Sequence, residues 1–344
     1  MQARHLLAAS SLTLLAAAPA FDRIAFAPAA ETTLTKSFET TIDMALDDLM
    51  VNFNGQDMDP AMMGMDMSAA SMTATVLVEV EDTYGEVKDG RPMQVTRVFN
   101  TISADLEAGD GQSQSESDDD LVGTTLTFQW NEETGEYDLS ADDESLDLDK
   151  ISHGGEDMDL RDFLPTGEVS EGDSWRLEGN KLVGVLWPGL DWSRLQENAA
   201  EKMAETDIPA ELEELMAELV KKATVECTYA GTRESDGVNL QVITLGGEME
   251  HDMEVGEMIL ELIRSSANDR DLDMDLEASL EIAVQLSGEL LWNPAAGHFA
   301  DCEMDLELAF LSSMDGSADI QGNPMEASAE IEASGVLRRR ATAR

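Results

Sequence analysis

The feature that most constrains this chain is an alternation of apolar and polar residues between Leu272 and Trp292. Every even position there is apolar or glycine, while the odd positions, beginning Asp273, Asp275 and Glu277, are nearly all polar. A helix cannot keep side chains two residues apart on one face, whereas a pleated strand does so automatically. The span therefore predicts one very long amphipathic strand, or two joined by a bulge. A second alternating run follows the loop Asn293–Gly297. In it Cys302, Met304, Leu306, Leu308 and Phe310 interleave with Asp301, Glu303, Asp305 and Glu307. The two runs form a hairpin with one dry face and one acidic face. Pairing symmetric about the loop would set Glu303, Asp305 and Glu307 against Ser287, Gln285 and Ala283. Only Glu289 then meets an acid, Asp301.

The same period of two marks strands around Ala74–Val80, Val225–Tyr229, Val238–Val242 and Met325–Ala333, and Ile42–Leu46 fits an early strand or a helix. Between Met93 and Leu106 the apolar phase slips from odd to even, which predicts a bulge. A short echo, W-N-x-x-x-G-x-aromatic, occurs at Trp130–Tyr137 and at Trp292–Phe299. Both copies read as hairpin loops in which glycine supplies a positive φ. Helix is expected over 193–222, where Ile208, Leu212, Leu215, Met216 and Leu219 recur at helical spacing. The stretch Gly109–Asp120, rich in Ser, Gln and Asp, has nothing to bury and reads as disordered.

Between the β-patterned halves lies Leu164–Trp175, reading LPTGEVSEGDSW. Pro165 cannot donate to a ladder, Gly172-Asp173 is a turn signal, and Val169 and Trp175 are the apolar anchors of a connector. The fold class expected is mainly β (α+β): long twisted antiparallel strands in two β-rich halves, with one or two covering helices. The chain divides into an export signal (1–29), a first β-rich half (30–163), the connector (164–175), a second β-rich half (176–337) carrying the helical segment, and a basic tail (338–344). The L-P-x-x-x-V-x-x-G-D-x-W pattern resembles a group of exported bacterial β-rich domains of unknown function. That resemblance implies a secreted β fold and lends no catalytic residues. A looser architectural likeness, to half-barrel lipoprotein carriers, implies a curved sheet cradling acyl chains.

The export reading has its own residues. Arg4 and His5 precede the apolar run Leu6–Ala18, and small-residue cleavage sites follow at Ala18-Pro19-Ala20 and Ala27-Pro28-Ala29. No later segment reaches the apolar length of a membrane helix, so no membrane span is expected. The chain carries 72 acidic against 21 basic residues, a formal charge of −51. Such a surface repels nucleic acid and anionic headgroups, and suits a salty exterior. Cys227 and Cys302, both on the apolar phase of strands, form a disulfide candidate in an oxidising compartment.

Chemistry is sparse. Only His153, His251 and His298 follow the signal, and there is no nucleophile elbow, metalloprotease, phosphate-loop or dinucleotide motif. Asp269, Asp271, Asp273 and Asp275 share the spacing of a calcium loop but lack its glycine, so loosely bound Ca is the reading there. Met58, Met62, Met63, Met65 and Met67 have no His or Cys nearby in the sequence to complete a ligand set, and read as an apolar loop rather than a copper site. No cofactor is expected. The expected role is a non-enzymatic binding or structural protein of the cell envelope, periplasmic or extracellular. The alternatives are a carrier of a lipid or other hydrophobic ligand and a carboxylate-dependent hydrolase. Partners would be a hydrophobic ligand or an envelope protein.

Overall fold

The computed structural model describes residues 22–59, 61, 70–109, 111–117, 121–143, 145–148, 155–178, 181, 222–260, 274–320 and 323–344. Its strands are β1 (Asp22–Arg23), β2 (Thr33–Phe53), β3 (Gln56–Met58), β4 (Ser71–Tyr84), β5 (Val87–Lys88), β6 (Arg91–Pro92), β7 (Gln94–Ala108), β8 (Ser113–Ser117), β9 (Thr125–Asn131), β10 (Glu136–Ala141), β11 (Glu168–Val169), β12 (Ser174–Glu178), β13 (Thr224–Ser235), β14 (Val238–Glu254), β15 (Met274–Asn293), β16 (His298–Ile320) and β17 (Asn323–Ala343). Thirteen of them form one sheet, in the order β10-β9-β7-β4-β2-β17-β16-β15-β14-β13-β12, with β3 on β2 and β8 on β7. The fold is mainly β, as the alternation requires.

Both β-rich halves contribute to that single sheet. The early strand β2 pairs antiparallel with the last strand, β17, from Phe53↔Ala327 to Lys36↔Ala343. From this central seam the strands run outward in chain order on one side and in reverse chain order on the other. The two edges are β10 and β12, and the connector lies in the chain between them and runs into the start of β12. Within it β11 pairs with β1, Gly172 takes φ +93, and Trp175 Nε1 donates to the Phe163 carbonyl at 2.9 Å. Val169 is buried. The expected punctuation and both anchors are therefore present.

The long strand is one strand: β15 has 20 residues, about 66 Å at the usual rise. Its hairpin with β16 differs from the symmetric register. Trp292 faces Phe299 but Leu291 faces Asp301, so Ala300 bulges and everything beyond shifts. Glu303 then faces Glu289, Asp305 faces Ser287 and Glu307 faces Gln285. The like-charge pair is offset by Arg233, which donates from both terminal nitrogens to Glu289, and by Arg340, 3.6 Å from Glu303. The phase slip in β7 is a bulge as well: Val80 faces Phe99 and Glu79 faces Thr101, leaving Asn100 over.

The two echo loops share one geometry. Asn131 Oδ1 accepts from the amides of Glu133 and Thr134, and Asn293 Oδ1 from those of Ala295 and Ala296. Gly135 and Gly297 both sit at φ +75, each donating its amide to the loop's asparagine carbonyl. Trp130 then faces Tyr137, and Trp292 faces Phe299.

Several expectations are corrected. Ser113–Ser117, read as disordered, is β8, because a backbone ladder to β7 needs no apolar side chains. Residues 338–343, read as a basic tail, complete β17. Arg338 meets Asp43 at 2.8 Å, Arg340 meets Asp301 at 3.4 Å, and Arg339 is buried. Residues 22–29, assigned to the export signal, are part of the fold, with Ile24 and Phe26 in the core. Cys227 and Cys302 are free and buried. They lie on β13 and β16, three strand spacings or about 14 Å apart along the sheet, beyond disulfide reach on that path. Of the helical segment 193–222 only Lys222 is among the described residues, so the covering helices lie outside them.

Candidate functional site

One face of the sheet carries the core. On β2 it is presented by Leu34, Phe38 and Ile42, on β17 by Leu337 and Ala341, on β16 by Cys302 and Met304, and on β15 by Leu286, Leu290 and Trp292. These fall at one end of the long strands. Residues from β7, β9, β12 and β13 join the same cluster, so the sheet curls until strands distant in its order share one interior.

Beyond the packed end the apolar face continues. The pairing sets Met72, Met44, Gly335, Leu308, Val284 and Met249 in one row across β4, β2, β17, β16, β15 and β14. Gly335 allows a close approach there, because a Cβ would stand 2.9 Å from the Asp43 carbonyl oxygen as well as against the Met44 side chain. A trough of about 840 Å³ crosses these six strands at the level of that row. The face stays accessible at its margins: Met72 is 40% exposed, Leu106 39% and Phe53 37%. Methionines suit such a surface, since their flexible thioethers adapt to varied shapes. The alternate residues point to the other face, which is acidic: Asp43, Glu248, Glu250, Glu307, Glu330 and Glu332 are among them.

A second constellation sits inside the packed end. Lys36, Asp82 and Arg97 occupy inward positions of β2, β4 and β7 where the alternation calls for apolar side chains, and all are fully buried. Asp82 and Arg97 are direct cross-strand partners. Arg97 therefore binds Asp82 with two parallel bonds, from Nε at 2.8 Å and Nη2 at 2.9 Å. Its remaining donors reach the carbonyls of Gly155 and Glu156, each at 2.8 Å. Lys36 Nζ lies 2.8 Å from Asp82 and 2.5 Å from Asp159, and the Tyr84 hydroxyl donates to Asp159 at 2.5 Å. Two cations and two carboxylates thus cancel in formal charge in the interior, with Asp159 Oδ2 left without a hydrogen-bond partner. Burial pushes the Asp82 carboxyl upward, but Arg97 and Lys36 outweigh it and hold the group at about 2. Burial first, and then Asp159 and Asp82, push the Tyr84 hydroxyl well above its ordinary value.

The chain just before the connector is clamped by these contacts. Arg161 pairs with Glu156, and with Asp157 at 3.1 Å. Burial raises the Glu156 carboxyl to about 7 against the opposing pull of Arg161. Because Lys36, Asp82, Arg97 and Asp159 are closed to solvent, the cluster fastens residues 155–163 to the sheet rather than meeting a substrate. The alternation carried its signal in advance, as charged residues at Lys36 and Arg97 interrupt otherwise apolar phases.

Asp275 lies in β15, whereas Asp269, Asp271 and Asp273 lie outside the described residues, as do His153, Met62, Met63, Met65 and Met67. His251 contacts Lys222 at 3.2 Å, and His298 is buried, its Nδ1 2.6 Å from the Phe299 carbonyl. Among the described residues no three His, Cys, Asp or Glu side chains group as metal ligands.

No family model matches the chain, and no curated protein matches it. Among solved structures it is similar to one described under the asymmetric conductivity of engineered proteins, at 9% identity and TM-score 0.17, over 90% of this chain and 100% of that one. It is also similar to an outer membrane channel from Pseudomonas putida F1, at 8% identity and TM-score 0.17, over 92% and 97%. A mutant Rh. blastica porin follows at 10% identity and TM-score 0.15, over 90% and 100%. Likenesses this slight carry no conclusion about fold or activity. No described helix is long and apolar enough to cross a membrane.

Proposed function

We propose that this chain is an exported, non-enzymatic binding protein of the cell envelope whose long apolar sheet face takes a lipid or other hydrophobic ligand. The observation that supports it is the row from Met72 to Met249. It continues the core face past the packed end, stays partly exposed, and is crossed by a trough whose volume lies within the ~300–1,000 Å³ of small-molecule sites. An apolar patch of that kind is a binding feature in a protein that stays in water. The acidic opposite face argues against a membrane-spanning barrel, which turns its apolar residues outward. The hydrolase alternative gains no support, because the carboxylates with the most perturbed titration, Asp82 and Glu156, are buried in the clamp.

The test uses a neutral environment-sensitive naphthylamine dye, added to protein purified from an exporting host and displaced by a neutral monoacylglycerol. Val284→Asp and Leu308→Asp place a charge on the apolar row, whereas Ser287→Asp places one on the exposed opposite face, outside the trough. The first two are expected to weaken dye binding by about tenfold or more, and the third to leave it unchanged. Absence of dye binding in the parent protein, or equal loss in all three variants, would overturn the reading.

A further inference from the structure

We infer that the export signal is removed between Ala20 and Phe21, and that the following segment, through Ala29, remains as an internal strap of the mature fold. Two small-residue sites compete in the sequence, Ala18-Pro19-Ala20 and Ala27-Pro28-Ala29. The structure separates them by what each cut would discard.

Cleavage after Ala29 would remove residues that join four parts of the molecule. Asp22 and Arg23 form the ladder with Val169 and Glu168 of the connector. The Asp22 carboxylate accepts from the Tyr229 hydroxyl of β13 at 2.6 Å. Ile24 and Phe26 are each only 2% exposed, and Phe26 stands edge-on to Tyr84 of β4 with ring centroids 5.4 Å apart. The Arg161 guanidinium lies 5.5 Å from the centre of the Phe26 ring. Ala27 donates its amide to the Gly297 carbonyl at 2.8 Å, and a Cβ on Gly297 would stand 2.4 Å from the Ala27 backbone. The strap therefore ties the connector to β4, to β13 and to the β15–β16 loop.

Cutting after Ala20 spares all of these contacts. That site also directly follows the apolar run Leu6–Ala18, as a signal peptide requires. The reaction is hydrolysis of the Ala20–Phe21 amide by a signal peptidase of the host. One water is consumed, Ala20 leaves as a carboxylate on the signal, and Phe21 becomes the new α-amine.

This inference rests on the export reading, and one experiment separates the two. The full chain is expressed in an export-competent bacterial host, fractionated, and characterised by intact mass and N-terminal sequencing. The expected product is an exported chain beginning at Phe21. An exported chain beginning at Ala30 would overturn the assignment while leaving export intact. A cytoplasmic chain retaining Met1 would overturn both. The variant Ala20→Arg is expected to block trimming, and normal trimming in that variant would also refute the site. Phe26→Asp is expected to abolish protease resistance of the exported protein, and undiminished resistance would refute the strap.

Discussion

Asp82 offers the sharpest test of how the chain before the connector is held. Asp82→Asn keeps the shape of the side chain but removes the charge that Arg97 grips with two bonds and Lys36 with one. Two buried cations are then left to share Asp159. Breaking one partner out of a buried ion pair costs about 3–5 kcal/mol, because the remaining charges stay desolvated. For a chain of this size that is a fall in Tm on the order of 10 °C. The matched control is Asp43→Asn, which breaks the exposed contact with Arg338, whose side chain is 58% exposed. That change should cost no more than about 1 kcal/mol. Urea unfolding followed by tryptophan fluorescence compares the two. The pH dependence supplies a second readout. The folded-state carboxyl of Asp82 lies at about 2, below its ordinary 3.8. Its stabilisation is therefore present above pH ~4 and is lost as pH falls toward 2, a contribution of about 2 kcal/mol. Asp82→Asn should flatten that acid limb. The double change Asp82→Leu with Arg97→Met leaves Lys36 and Asp159 as a balanced pair and should be more stable than Asp82→Asn alone. Equal losses for Asp82→Asn and Asp43→Asn would refute the clamp.

Two further outcomes are expected. Burial drives the thiols of Cys227 and Cys302 up to about 12, so a disulfide-exchange reagent at pH 8 should label neither in the native protein and both in denaturant. Denatured, unreduced protein that yields no thiols would restore the disulfide. The echo loops provide an internal comparison, because Gly135 and Gly297 share φ +75 but only Gly297 abuts other backbone. Gly135→Ala should cost only the left-handed strain of about 1–2 kcal/mol, and Gly297→Ala clearly more in the same denaturation assay. Equal costs would refute the close approach of Ala27.

What could be read in advance depended on the range of the interaction involved. Period-two patterning is a local property of the pleat, so β15, β16, β4, β13 and the late strand β17 were legible from their own residues. The bulge in β7 was legible too, because an extra residue changes the parity of the apolar phase. The hairpin register was not. It turned on the bulge at Ala300, which leaves no mark in a loop assumed to be symmetric. The clamp was half legible: Lys36 and Arg97 stand out as charges on apolar phases, yet Asp159 lies in irregular chain with no period to violate.

The sequence by itself determined the class of the fold, the acidic and apolar division of the long strands, and the turn chemistry at Gly172, Gly135 and Gly297. Each of these follows from backbone geometry acting over a few neighbours. Only the tertiary structure decided that β2 closes on β17 and that residues 22–29 pack against the connector and the core. It alone showed that the basic run from Arg338 is paired strand and that Cys227 and Cys302 remain apart. Those outcomes depend on which distant segments meet. That choice is set by how one curled sheet buries its apolar face, and no local pattern encodes it.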